Sequence, residues 1–206
     1  IINVIADGVG ALVEVLCETD FVAKTDAFQA FAQSVADRVI TDFEGDGDIS
    51  DVVAEAMKNE LTDLIGKIGE NMQVRRVVRW NAAGQLGSYL HMGGRIGVMV
   101  DATGPAEGEL LTDICMHVAA FNPQFIGPEN VPEAVMAKEK EIAAAQVEGK
   151  PANMIEKIVM GKISKWCTET CLSKQPWIRD DKATLAKIAP KVTVTRFVRW
   201  QVGEEL

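Results

Sequence analysis

The chain is poor in the residues from which most active sites are assembled. It has two histidines, His91 and His117, one tyrosine and four cysteines among 206 residues. Cys17, Cys115, Cys167 and Cys171 are too few and too scattered for a disulfide framework, which points to a reducing compartment such as the cytoplasm. No apolar run approaches the roughly 18 residues of a membrane span, and no signal peptide is expected ahead of the first strand. A membrane is therefore not an expected partner. Basic residues are also in deficit: 21 Lys and Arg against 30 Asp and Glu leave a formal charge of −9. A dedicated nucleic-acid binder needs the opposite balance. The sequence has no GxxxxGK[ST] loop, no HExxH and no GxSxG. A histidine-based triad would have to use His91 or His117, and His117 lies between Met116 and Val118 on a helical stretch. Cys167 and Cys171 share a helix face but lack the two further ligands of a zinc site. Neither bond chemistry nor a metal or other cofactor is expected.

The residues that are present suit an ordinary globular protein, with 48% hydrophobic and 25% charged residues. The organising stretch is VEVLCETDFVAKTDAF, Val13 to Phe28. It begins as a strand, Val13 and Val15 sharing a face, and ends as a helix in which Phe28, Phe31, Val35 and Val39 recur at helical spacing. Asp26 is the expected N-cap, with Gln29 closing a capping box. Between strand and helix lies Thr19-Asp20-Phe21-Val22, an aromatic ring set in a loop directly after an acidic run. Loops at strand ends are where chains display contact residues.

Around that stretch, residues 2–6 and 11–17 read as a hairpin across Asp7-Gly8. After the helix, Gly45 to Asp48 read as a surface loop. Ser50 or Asp51 caps a second expected helix holding Val53, Met57, Leu61, Leu64, Ile65 and Ile68, with Gly66 and Gly69 weakening its end. Met72 to Trp80 is a strand, and residues 86–92 and 95–101 pair across Gly93-Gly94. A helix follows at about 109–121. Pro132 opens an amphipathic helix that Gly149-Lys150-Pro151 stops, and a second helix runs from about Ala152 to Cys167. The two form an antiparallel hairpin. A short helix at 183–189 and a strand at 192–202 close the chain.

One repeat is visible. Shifted by 120 positions, LIGKIGENMQVRRVVRW (64–80) aligns with TLAKIAPKVTVTRFVRW (184–200), with seven of 17 positions identical, Arg76/196, Arg79/199 and Trp80/200 among them. The expected class is α+β: two related subdomains, each a small antiparallel sheet covered by helices, with an inserted antiparallel helical hairpin. The expected divisions are residues 1–94 for the first subdomain, 95–130 with 169–206 for the second, and 131–168 for the hairpin.

Several segments also carry a family likeness. CETDFVAK (17–24), KIGEN (67–71) with Arg75-Arg76, GSYLHMGGRIGVMV (87–100), MHVAAFNPQF (116–125), KQPW (174–177) and RFVRWQVGE (196–204) resemble, in order, the hallmarks of the elongation factor Ts family. Leu16 stands where the family commonly has Asn. The small helical domain resembling a ubiquitin-associated domain that usually precedes this region is not seen here, and the chain opens without Met, as a fragment or processed product would.

The resemblance implies a guanine nucleotide exchange factor of translation elongation, with the GTPase elongation factor Tu as partner. It implies that Thr19, Asp20, Phe21 and Val22 enter the GTPase near its bound Mg²⁺ and dislocate it. Ile68, Gly69, Glu70, Asn71 and His91 are the implied secondary contacts. Read from the residues alone, Ile68 finishes a helix stripe, Gly69 is a C-cap and His91 is a strand-end histidine. The hairpin is the implied counterpart of the family's coiled coil, available to internal packing, to a second copy in a homodimer, or to another protein. A scaffold that binds elongation factor Tu without efficient exchange is the alternative.

Overall fold

Asp7 and Gly8 take the left-handed backbone that a two-residue hairpin turn demands, with φ of 51° and 77°. They join β1 (Ile2–Ala6) to β2 (Val9–Cys17) in antiparallel register from Ile2 opposite Val13 to Ala6 opposite Val9. The computed structural model describes residues 1–106, 108–147 and 151–205, without the side chains of Ala152 and Asn153. The stop expected at Gly149-Lys150 lies outside the described residues. After β2 come α1 (Asp26–Thr41), β3 (Gly47–Asp48), α2 (Ser50–Ala56), α3 (Lys58–Ile68), β4 (Met72–Asn81), β5 (Gln85–His91) and β6 (Ile96–Thr103). Then follow α4 (Glu109–Phe121), α5 (Glu133–Ala145), α6 (Ala152–Thr170), α7 (Leu185–Ile188) and β7 (Thr193–Gln201). The class is α+β, as expected, with two small antiparallel sheets ordered β1-β2-β4-β3 and β5-β6-β7. The second sheet thus takes in β5 and begins at Gln85, ahead of Arg95.

The chain divides into two compact units, Ile1–Ala119 with Val194–Leu206, and Ala120–Thr193. In the first, strand alternation sorts side chains between two cores. Ala11, Val13 and Val15 of β2 pack with Phe28, Phe31, Val35 and Val39 of α1 and with Val53 and Met57. On the opposite side of the same strands, Leu12, Val78 and Trp80 meet Met99 of the second sheet. Burying each large apolar side chain of these clusters stabilises the fold by roughly 1.5–3 kcal/mol before entropy is counted.

A bulge distorts the pairing of β2 and β4: Glu14 lies opposite Arg76 and Val15 opposite Val74, leaving Arg75 without a partner position. Extra residues of this kind bend a strand and redirect its side chains. Here both arginines reach the fully buried Glu14, Arg76 Nε at 2.6 Å and Arg75 Nη1 at 3.5 Å from Oε2.

Three local expectations need correction. Thr25, not Asp26, caps α1: Thr25 has the extended backbone of an N-cap and its Oγ1 accepts from Phe28 N at 3.3 Å. Asp26 is already helical, where its carboxylate faces the positive helix end, and Gln29 donates to Ala23 O at 3.4 Å instead of closing a capping box. Ser50–Ile68 is two helices broken at Met57, and Ser50 caps neither. Met57 is fully buried, and the break keeps Val53 and Met57 on the same core as Leu61, Leu64, Ile65 and Ile68. The 45–48 loop contains β3, which pairs with Val78 and Arg79.

In the second unit, α5 and α6 pack as the expected hairpin. Val131, Cys167 and Cys171 are buried at its base with Phe125, Val135, Met136, Ile163 and Trp166 around them. Lys162 Nζ donates to Gln146 Oε1 at 2.6 Å further along. Ile142, Met154 and Met160 remain exposed.

Candidate contact site

The loop after β2 is built almost wholly from its own hydrogen bonds. Thr19 O accepts from Ala23 N at 3.2 Å and from the Cys17 thiol at 3.2 Å, and Phe21 O accepts from Lys24 N at 3.2 Å. Val22 O accepts from Thr25 N at 2.9 Å and Thr25 Oγ1 at 2.8 Å. A single tight turn, Val22–Lys24, results, and it delivers the chain to Thr25 at the start of α1. Val22 is buried in the α1 core and pins the loop from beneath. Phe21, one residue earlier, points the other way, with 83% of its surface exposed. The apolar tip is therefore presented and not folded back.

Strand pairing supplies the second part of the site. Cys17, the last residue of β2, lies opposite Met72, the first of β4. The loop after β2 and the turn before β4 are thereby neighbours. That turn begins at Gly69, which ends α3 with φ of +83° and donates to Ile65 O at 2.8 Å. Glycine takes this left-handed C-cap conformation without a side-chain penalty. Ile68 is half-buried against the α1 core, Asn71 is exposed, and Glu70 turns to Thr19. The Glu70 carboxylate accepts from Thr19 N at 3.1 Å and from Thr19 Oγ1 at 2.7 Å.

The third part is the β5–β6 turn. His91 ends β5, exposed, with Nδ1 3.1 Å from Tyr89 Oη. Met92 follows in left-handed backbone, φ 51°, with its side chain largely exposed. Arg95 Nη2 lies 3.6 Å from Asp20 Oδ2, both side chains about two-thirds exposed. Such a surface pair holds weakly. An open groove of about 660 Å³ runs between this turn and the loop, lined by Cys17, Thr19, Asp20, Met92 and Arg95 among others. Burial raises the Cys17 thiol pKa, and the neighbouring Glu70 carboxylate adds to the effect.

All the expected contact residues thus lie on three adjoining segments of one unit: Thr19, Asp20, Phe21 and Val22 on the first, Ile68 to Asn71 on the second, His91 on the third. Ile68 and Gly69 also fill the structural roles read from their own chemistry. Nothing in the spacing announces Arg95 or Met92 as neighbours of the loop, because a turn's position across a sheet is not written in local pattern. Among the described residues, no group of three or more His, Cys, Asp or Glu side chains is placed to hold a metal ion. Nor, among them, is any helix long and apolar enough to cross a membrane.

Fold and site together define a class: a mixed α+β protein that displays an anchored aromatic loop beside two supporting turns. Comparison with known proteins narrows this. The family model described as Elongation factor TS matches residues 18–204. Elongation factor Ts of Clostridium perfringens (strain 13 / Type A) is 41% identical over 216 residues, covering 95% of this chain and 71% of that relative. The Thioalkalivibrio sulfidiphilus protein of the same name is 45% identical over 205 residues, covering 94% and 69%. That of Teredinibacter turnerae is 42% identical over 200 residues, covering 95% and 68%. The chain belongs to the elongation factor Ts family, a family of translation elongation factors.

Proposed function

We propose that this chain is a guanine nucleotide exchange factor acting on elongation factor Tu in the cytoplasm. The observation that carries the reading is the Phe21 ring, 83% exposed at the tip of a loop held by hydrogen bonds of Thr19, Val22, Ala23, Lys24 and Thr25. An exchange factor performs no bond chemistry. It binds the nucleotide-free GTPase better than the nucleotide-bound one, and linkage then weakens nucleotide binding by the same factor. Phe21 enters the partner as an apolar wedge. Burying it there contributes roughly 1.5–3 kcal/mol, one to two decades in affinity. Asp20 carries a carboxylate toward the partner's Mg²⁺ and phosphates, where an added negative charge disturbs the metal's coordination. Ile68, Gly69, Glu70, Asn71 and His91 flank the wedge. The exposed Ile142 and Met160 of the α5–α6 hairpin offer an apolar surface to a second copy or to the same partner.

Stopped-flow release of fluorescent GDP from elongation factor Tu tests the wedge. Phe21→Ala is expected to slow stimulated release about tenfold or more at subsaturating chain. An unchanged rate would remove Phe21 from the mechanism. The alternative, binding without efficient exchange, predicts a stable complex with elongation factor Tu while GDP release stays at its unstimulated rate.

A further inference from the structure

Glu70 differs from the other flanking residues because both of its carboxylate oxygens are used within the chain. Oε2 accepts from Thr19 N at 3.1 Å and Oε1 from Thr19 Oγ1 at 2.7 Å, a two-pronged grip across 51 positions of sequence. Charge-assisted hydrogen bonds in this paired form fix geometry as well as add strength. Thr19 in turn sets the loop. Its Oγ1 accepts from Val22 N at 3.3 Å, and its carbonyl accepts from Ala23 N and the Cys17 thiol. Glu70 is itself placed by two rigid features, the left-handed Gly69 before it and the Cys17–Met72 pairing after it. Phe21 by contrast lies largely in solvent: of the loop's four residues only Val22 is buried.

We infer that Glu70 is a positioning residue. It holds Thr19, and through Thr19 the Asp20-Phe21 tip, in docking geometry before any partner arrives, and it makes no partner contact of its own. This rests on the exchange reading above. A loop ordered in advance is spared the ordering cost at association, so the gain shows in affinity and not in the step that follows docking.

The test uses Glu70→Ala, Glu70→Gln and Thr19→Val, with Glu70→Ala also combined with Thr19→Val. GDP release from elongation factor Tu is titrated with each, and amide hydrogen exchange is measured on each free chain. Glu70→Ala is expected to raise the half-saturating concentration about tenfold while the rate at saturation holds. In the free chain its Thr19 amide should exchange about tenfold faster. Glu70→Gln, which keeps one acceptor, should fall between, and Thr19→Val should cost less in the Glu70→Ala background than alone. Full additivity, or an unmoved Thr19 amide, overturns the inference and makes Glu70 a direct contact or a bystander. If the unaltered chain leaves GDP release at its unstimulated rate while Glu70→Ala still loosens Thr19 in the free chain, the exchange reading fails and the anchor stands.

Discussion

The two halves of the first unit use one plan for different ends. In each, a hairpin leads through a connection to a helix, and a late strand returns carrying Arg-x-x-Arg-Trp. In the first half the connection is Glu18–Thr25, which lifts Phe21 into solvent. In the second it passes Gly104, Pro105 and Ala106, and Ala106 is fully buried. The scaffolds beneath correspond closely. Arg79 Nε donates to Val39 O in the last turns of α1, and Arg199 Nε donates to Ala119 O near the end of α4, at 3.2 and 3.1 Å. Arg76 reaches the buried Glu14 of β2, and Arg196 the buried Asp101 of β6, at 2.6 and 3.1 Å. A displayed loop was therefore obtained by changing a connection and supplying an anchor for it, with the frame left alone.

The largest expected difference between the halves lies in their thiols. Cys115 on α4 is fully buried, and burial pushes its pKa up to about 12. Cys17 at the end of β2 is half-buried, its pKa also raised. Thiolate is the nucleophile, so the half-buried Cys17 is expected to be alkylated in the folded protein, and the fully buried Cys115 much more slowly. Peptide mass spectrometry after timed iodoacetamide treatment at pH 8 reads the ratio. The same burial makes stability depend on pH in a fixed direction. From pH 9.0, the ordinary value, up to about 12 the unfolded chain releases the Cys115 proton while the folded chain keeps it. The native state then binds more protons, and stability falls with rising pH by at most about 1.4 kcal/mol per unit. Below that window both states hold the proton and the thiol adds no pH dependence. Cys115→Ala should flatten this part of the profile in urea titrations, and an unchanged slope would place its cause elsewhere.

A smaller difference separates the two buried acids. Asp101 accepts from Ala83 N and Gly84 N at 2.8 and 3.1 Å as well as from Arg196. The side-chain hydrogen bonds of Glu14 come from arginines, and its Oε1 has no hydrogen-bond partner among the described residues. Removing one member of a buried pair leaves the other charge uncompensated. Arg76→Met is expected to cost about 3 kcal/mol, and Arg196→Met about 1–2 kcal/mol because backbone donors still hold Asp101. Urea unfolding at pH 7 measures both. Equal losses would mean that the two acids are equally supported and that the asymmetry is only geometric.

How far all this was readable from sequence follows from which interactions are local. Strand alternation in Val13 and Val15 and the helical spacing of Phe28, Phe31, Val35 and Val39 declare the α+β layers, because periodicity is set by the backbone. The register of Arg79-Trp80 with Arg199-Trp200 announces the repeat. Thr25 as the cap of α1 did not show, since Asp26 is an equally good capper by type and only the extended backbone at Thr25 decides. The break at Met57 was hidden because both helix segments share one unbroken apolar pattern. In the site, CETDFVAK and KIGEN are legible as separate motifs by resemblance. Their junction through Glu70 and Thr19, and the approach of Arg95 to Asp20, depend on strand pairing across the sheet. The sequence records such pairing only indirectly.

The smallest effect probes a link that no single half contains. Arg76 of β4 lies over the Trp200 ring of β7, its Cζ 4.7 Å from the centroid, and Arg196 of β7 lies over Trp80 of β4 at 4.6 Å. Each half's arginine is thus stacked on the other half's tryptophan, and the repeated Arg and Trp are joined crosswise. A guanidinium over an indole contributes about 0.5–1 kcal/mol where solvent retains access, more when it is desolvated. Arg76 and Arg196 also bind acids, so single substitutions would confound the two effects. Double-mutant cycles remove that ambiguity, because the acid's loss appears in the single and double variants alike. Arg76→Met with Trp200→Leu, and Arg196→Met with Trp80→Leu, should each show a coupling of about 0.5–1 kcal/mol, the two agreeing within about 0.5 kcal/mol. If one cycle gave no coupling while the other kept its own, the crosswise link would be a matter of packing on one side only. The repeat would then be an inherited pattern whose second copy has stopped joining the halves.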